Sequence, residues 1–233
     1  MNEMQGEQSA VLQSSHLLTV NDLRTAFLSL GLSNGSVVLV HSSLSRIGWV
    51  CGGASAVVQA LVDVVGTHGT IMVPTHTGGN SDPSHWQSPS VPCDWWPVIR
   101  EHMPAFDPLR TPSRRMGAIA EYVRTLPNAK RSDHPMVSFA AIGAEAERLV
   151  TEHSLVDSLG DHSPLGKLYD MDGMVLLLGV GYASNTSFHL AEYRAQYPKT
   201  YMEHGTAVII HGQRSGIGSS PWYSVRKTLR ISG

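Results

Sequence analysis

The run Met174-Val-Leu-Leu-Leu-Gly179 constrains the fold of this chain more than any other segment. Five apolar residues in a row show no alternation with polar ones, so they read as a strand buried on both faces. Such strands occur where helices cover both sides of a sheet. Ser36-Val-Val-Leu-Val40 and Gly69-Thr-Ile-Met-Val-Pro74 have the same character. Helical patterns separate them. Thr19 to Gly31 starts with capping residues, places Leu23, Phe27 and Leu30 on one face and stops at a glycine. Ala54–Val65, Met116–Thr125, Ala144–Thr151, Ser163–Tyr169 and His189–Arg194 read as further helices, and Phe139–Ile142 as extended. The alternation implies an α/β sandwich with a buried central sheet flanked by helices.

Charge and cysteine usage exclude several classes of function. Charged residues make up 15% of the chain and the formal net charge is -2 with no basic block, so nothing here suits a nucleic-acid backbone. Met1 to Ser15 is polar, carries Glu3 and Glu7, and lacks the apolar core and basic flank of a signal or transit sequence. The longest apolar runs are too short to span a bilayer. A soluble, cytoplasmic protein is the expectation. Cys51 and Cys93 are the only cysteines, which reads as two free thiols with neither a disulfide framework nor a metal site. Thr75 to Arg110 is long, aperiodic and rich in Pro, Ser, Asp and Trp, the pattern of a functional loop or lid or of a decorated surface excursion.

Familiar glycine motifs fail on inspection. Gly179-Val-Gly-Tyr-Ala-Ser184 lacks the third small residue of a dinucleotide fingerprint, and Gly166-Lys167 is followed by Leu168, so it is not a phosphate loop. There is no G-x-S-x-G elbow and no H-E-x-x-H helix. Three segments remain. Val40-His-Ser-Ser-Leu-Ser-Arg-Ile-Gly-Trp-Val-Cys-Gly-Gly53 lies at the carboxyl end of a strand, where open α/β sheets bind ligands; a tight turn with capping serines is the plain alternative. Arg110-Thr-Pro-Ser-Arg-Arg-Met-Gly117 carries an arginine pair into a helix, suited to phosphate or simply to solvent. Asn185-Thr-Ser-Phe-His-Leu-Ala-Glu192 sets His189 and Glu192 three residues apart on one helical face, a pairing also common on ordinary surfaces.

In order along the chain, these segments together with Pro74-Thr-His-Thr77, Arg131-Ser-Asp-His-Pro135 and Ser163-Pro-Leu-Gly-Lys-Leu168 resemble the aminoglycoside 3-N-acetyltransferases from Leu17 to about Gly212. The resemblance implies an antibiotic N-acetyltransferase sandwich, distinct from the GNAT fold, that moves the acetyl group of acetyl-CoA to a primary amine of an aminoglycoside. It makes His189 the catalytic histidine and Glu192 its carboxylate partner. It sets His41, Ser42, Ser43, Leu44, Ser45, Ile47, Gly48 and Thr75 beside the pantetheine and acetyl group, with Arg114, Arg115, Met116 and Gly117 holding the cofactor. His76 is expected to line the site.

The chemistry agrees with that implication. An ammonium attacks a thioester only after losing a proton, and an imidazole is the usual base. Backbone N–H groups or hydroxyls within Ser42–Ser45 are candidate oxyanion donors. A polycationic acceptor calls for acidic groups, for which Asp82, Asp94, Glu101, Asp161 and Glu192 are the candidates. Direct transfer needs no cysteine. On this reading residues 1–16 are an N-terminal tail, 17–214 the acetyltransferase domain, and 215–233 a basic tail, divergent or truncated relative to the family. That tail keeps two alternatives open: an acetyltransferase for another amine, amino-sugar or nucleotide-linked, and a CoA-binding protein that has lost transfer.

Overall fold

A computed structural model of the chain describes residues 3–198, 201–210, 213–215 and 225–228. The first described element is α1 (Glu3–Gln13). Ala10 is buried, and the Ser14 hydroxyl donates to the Ala10 carbonyl while accepting the Trp49 N–H at 2.7 Å. These bonds pin the segment to the loop after the first strand. α2 (Val20–Ser29) starts at a reciprocal capping box: Thr19 Oγ1 accepts the Asp22 N–H and the Asp22 carboxylate accepts the Thr19 N–H. β1 (Val37–Ser42), α3 (Gly53–Val65) and β2 (Thr70–Pro74) then form a parallel β-α-β unit.

The long segment after β2 is ordered by 3₁₀ turns at Pro83–His85 and Cys93–Trp95 and by α4 (Trp96–His102). There follow α5 (Ala118–Thr125), β3 (Lys130–Arg131), β4 (Phe139–Gly143), α6 (Ala146–Val150), α7 (Pro164–Asp170), β5 (Met174–Leu178) and α8 (Ser187–Arg194). Beyond them, β6 (Tyr201–His204), β7 (Val208–Ile210), β8 (Gln213–Ser215) and β9 (Val225–Thr228) form two antiparallel pairs, β6 with β9 and β7 with β8.

The central sheet runs β3-β4-β2-β1-β5, with β1 parallel to both neighbours and β4 antiparallel to β2 and β3. Side chains alternate between its faces. Val38, Val40, Ile71, Val73 and Ala140 meet Phe27, Leu61 and Ile119 of α2, α3 and α5. Leu39, Met72, Phe139 and Ala141 meet Leu149, Leu165 and Leu190 of α6, α7 and α8. Two apolar interiors sandwich one sheet, and each fully buried Leu or Phe contributes about 1.5–3 kcal/mol.

Four details depart from the sequence reading. β5, the run expected to be most buried, is an edge strand of this sheet: only Leu176 is buried and Val175 is 36% exposed. An apolar run looks the same in sequence whether its strand is central or terminal. β3 was not foreseen, because two residues carry no periodicity. The arginines of Arg110–Gly117 precede α5 rather than enter it, since the helix is capped at Gly117. Residues 225–228, within a stretch that showed no pattern, form β9; the rest of that stretch, 216–224 and 229–233, lies outside the described residues. Among the described residues no helix is long and apolar enough to cross a membrane.

Candidate functional site

The carboxyl ends of β1 and β5 stand side by side, Ser42 in register with Leu178, and the Ser43 N–H donates to the Leu178 carbonyl at 2.9 Å. Beyond that bond the chains part, one into a 3₁₀ turn at Leu44–Arg46, the other through Gly179. Gly179 has φ of 68°, and a Cβ there would lie 2.8 Å from both the Ser43 carbonyl and Ile47 Cγ2. Only glycine lets the two loops approach so closely. The Arg110–Gly117 turn reaches the same edge, since a Cβ on Gly117 would sit 3.4 Å from the Ser42 carbonyl. Three segments far apart in sequence thus meet at this end of the sheet.

His189 and Glu192 face each other across one turn of α8, with Nδ1 2.7 Å from Oε2. Their side chains are 36% and 39% exposed, enough to meet a ligand. A carboxylate accepts but does not donate, so this contact assigns the proton to Nδ1 and leaves the Nε2 lone pair free to accept one.

His41 is buried, and burial pushes its imidazole down to about 4. Its Nε2 accepts from the Thr186 N–H at 3.4 Å, and the Thr186 hydroxyl lies 3.3 Å away. The ring therefore faces the start of α8. Ser42, Ser43, Leu44, Ile47 and Gly48 are half-buried and Ser45 is exposed. Thr75 is fully buried: its carbonyl and hydroxyl accept from Arg131, and its carbonyl also accepts from Ser138. It shapes the site from behind and offers no surface to a ligand.

Arg114 and Arg115 are exposed, Met116 is half-buried and Gly117 exposed. The Arg114 N–H donates to the His76 carbonyl at 2.8 Å, and its guanidinium lies over Gly79, where a Cβ would come within 2.6 Å of Nη1. Arg115 Nη2 donates to the Ser88 carbonyl at 2.9 Å. Arg114 divides two clefts, one of about 380 Å³ shared with His76, Trp86, Arg115 and Met116, the other of about 630 Å³ shared with Thr77, Asn80, Arg110 and Thr111. Half-buried His76 meets Phe139 edge-on at 5.3 Å.

The supports behind this turn escaped the sequence reading. Glu121 Oε2 accepts from the Ser113 N–H, the Ser113 hydroxyl and Arg124 Nε, while Arg124 Nη1 donates to the Leu109 carbonyl. Burial raises the Glu121 carboxyl, but the bonds from Arg124 and Ser113 outweigh it and hold the group down at about 2. Glu121 falls within the expected helix Met116–Thr125, yet nothing in its spacing identified the loop it would hold.

Two of the five acids expected around a cationic substrate, Asp82 and Asp161, are paired with arginines. Asp82 is buried and takes two bonds from Arg100, at 2.9 and 3.1 Å, besides capping Ser84. Burial raises its carboxyl, yet the Arg100 and Ser84 bonds bring it below its usual range. Asp161 pairs with Arg194 at 2.7 Å, and that guanidinium covers the Tyr169 ring at 4.1 Å. Each of these carboxylates thus has an arginine partner within the protein. Asp94 and Glu101 are exposed on the long loop. Glu192 is the acid that stands beside His189.

Residues 39–228 match the profile of the aminoglycoside 3-N-acetyltransferase family. The chain is 51% identical over 187 residues to an SPbeta prophage-derived aminoglycoside N(3')-acetyltransferase-like protein, YokD, of Bacillus subtilis, covering 80% of this chain and 68% of that one. It is 37% identical over 210 residues to aminoglycoside N(3)-acetyltransferase VII of Streptomyces paromomycinus, covering 89% and 72%. The crystal structure of YokD superposes with a TM-score of 0.89 over 96% of this chain and 80% of the other, at 43% identity. An AAC-IIIb structure, binary with CoASH, superposes at 0.76 with 32% identity over 86% and 74%. AAC-VIa bound to sisomicin superposes at 0.77 with 29% identity over 87% and 75%.

Proposed function

The chain belongs to the aminoglycoside 3-N-acetyltransferase family, and from that premise we propose that it transfers the acetyl group of acetyl-CoA directly to the 3-amino group of an aminoglycoside, with His189 as general base. The observation that carries the reading is the 2.7 Å contact of His189 Nδ1 with Glu192 on α8, a helix whose start meets the end of β1 through Thr186 and His41. The relatives solved with CoASH and with sisomicin support both halves of the proposed substrate pair.

In this mechanism Glu192 fixes the imidazole tautomer and steadies the imidazolium that forms. His189 Nε2 removes a proton from the acceptor ammonium, and the amine nitrogen then bonds to the thioester carbonyl carbon. The 3₁₀ turn at Leu44–Arg46 leaves its first N–H groups without intrahelical partners, which suits them to the oxyanion of the tetrahedral intermediate. The nitrogen of the intermediate gives up its second proton to solvent, the intermediate collapses with cleavage of the C–S bond, and the proton held by His189 passes to the departing CoA sulfur. When bound, acetyl-CoA supplies the activated acyl group; Arg114, Arg115, Met116 and Gly117 would hold it at the two clefts.

The test is thiol release from acetyl-CoA with gentamicin-, kanamycin- and neomycin-type acceptors, for the wild type and His189→Ala. Turnover by the wild type and a loss of about 10²- to 10⁴-fold in the variant are expected. CoA binding without thiol release on any acceptor would sink the proposal, as would a folded His189→Ala protein that keeps the parental rate.

A further inference from the structure

We propose that His41 is a positioning residue: its buried imidazole holds Thr186 at the start of α8 and so sets the direction in which His189 points. The inference rests on the acetyl-transfer reading above.

α8 is a lightly anchored helix. It has eight residues, too few to be stable alone; Leu190 is its one buried residue, and half-buried Tyr193 packs against the same interior. Its far end is held at the surface by the Arg194–Asp161 pair. At its near end Asn185 Oδ1 accepts from the Ser187 N–H and hydroxyl, a purely local tie. A tie to the sheet comes from His41. In β1, Val37, Leu39 and His41 share one face, and Leu39 on that face packs in the same interior as Leu190. Thr186 does not cap the helix with its own side chain; its hydroxyl and its N–H both meet His41 Nε2.

The bond pattern requires a neutral ring with its proton on Nδ1. Burial supplies the neutral form, since the imidazole is pushed down to about 4. His189 lies three residues after Thr186 and one before Leu190, between the two inner anchor points. Cutting the first frees the start of α8 to shift about Leu190 and Tyr193, and reacting groups misplaced by about 1 Å can lose on the order of 10²-fold in rate.

The experiment compares His41→Gln, whose amide oxygen can accept in place of Nε2, with His41→Phe, which fills the space and accepts nothing. The expected result is that His41→Phe loses about 10- to 100-fold in kcat with acetyl-CoA KM and Tm nearly unchanged, and that His41→Gln recovers most of the loss. Equal impairment of both variants, full activity of His41→Phe, or a rate that falls only with the folded fraction would overturn the proposal. A second readout needs no turnover: the ring N–H resonance of His189, identified by its absence in His189→Ala, should persist in His41→Gln and shift or vanish in His41→Phe. If the wild type transfers no acetyl group, the functional reading fails alone and this resonance still decides the role of His41.

Discussion

Arg131 is bonded to Thr75 twice, Nη2 donating to the carbonyl at 2.8 Å and Nε to the hydroxyl at 3.1 Å. The same guanidinium donates to the Ser138 hydroxyl and to the Pro108 and Thr111 carbonyls, and it lies 5.0 Å from the centre of the Phe106 ring. Burial, then the like charge of Arg124, pulls it down to about 10, partly offset by Glu121 and Asp107, and it stays charged at neutral pH. All five acceptors are neutral. The cation therefore acts as a staple between the end of β2, the start of β4 and the loop that leads into Arg114 and Arg115.

Arg131→Lys keeps the charge and loses the planar fork. Several carbonyls lose a donor at once, at about 2–4 kcal/mol in sum. The expected outcome is a Tm lowered by about 5 °C or more, and a higher acetyl-CoA KM as the arginine turn loosens. A melting curve that superposes on the wild type would remove the staple from the account.

Glu121 acts in the acid range. Its folded carboxyl at about 2 lies below the ordinary 4.5, so its contribution is complete above 4.5 and is lost as pH falls toward 2. Glu121→Gln should therefore melt below the wild type at pH 7, and the gap should close as pH approaches 2. The side chain is 36% exposed, so salt will narrow the gap as well. A gap that stays constant from pH 7 to 3 would show that lost packing, not charge, explains the variant.

His153 works in a different window. Nδ1 lies 2.9 Å from the Ser132 hydroxyl and Nε2 2.6 Å from the Ser158 carbonyl, which makes Nε2 the donor. Burial pushes the ring down to about 4, with Lys167 adding to the fall and the Ser158 bond opposing it. Between about 6.5 and 4 the unfolded chain binds the extra proton, so stability is full above 6.5 and declines as pH drops, at about 1.4 kcal/mol per pH unit for each such histidine. His41 and His134 are lowered in the same sense. In urea melts at pH 7.5, 6 and 5, His153→Gln should shrink the wild-type decline by about one proton; an unchanged slope would contradict the assignment.

These supports explain what could be read from the chain and what could not. Local signals survive in sequence: the Thr19–Asp22 box starts α2 and the Ser163 hydroxyl caps α7. The apolar runs of β1 and β2 marked central strands, and the spacing of His189 and Glu192 described their contact. Positions that depend on topology do not survive. His41 and Thr186 are 145 residues apart, and the acceptors of Arg131 come from three separate stretches. No periodicity records either. The same limit made a terminal strand of leucines look central and made Asp82 look free, because a carboxylate in a polar loop reads alike whether it faces solvent or Arg100.

Asp82 gives the sharpest contrast with Glu192. Arg100 is 28% exposed in its side chain and Asp82 only 6%, so removing the carboxylate charge leaves a half-covered guanidinium without its partner. Arg100 also ties α4 onward, since its carbonyl accepts from Arg214 Nη2 at 2.9 Å. Asp82→Asn keeps an oxygen for the Ser84 N–H but no charge, and should cost about 1–3 kcal/mol of stability while acceptor KM stays within about twofold. Glu192→Gln should behave oppositely, with Tm nearly unchanged and kcat reduced by about tenfold or more, because the amide no longer enforces the His189 tautomer or balances its imidazolium. An acceptor KM that rises severalfold in Asp82→Asn would return that carboxylate to the substrate side of the loop, and the pairing with Arg100 would then be a contact that the substrate displaces.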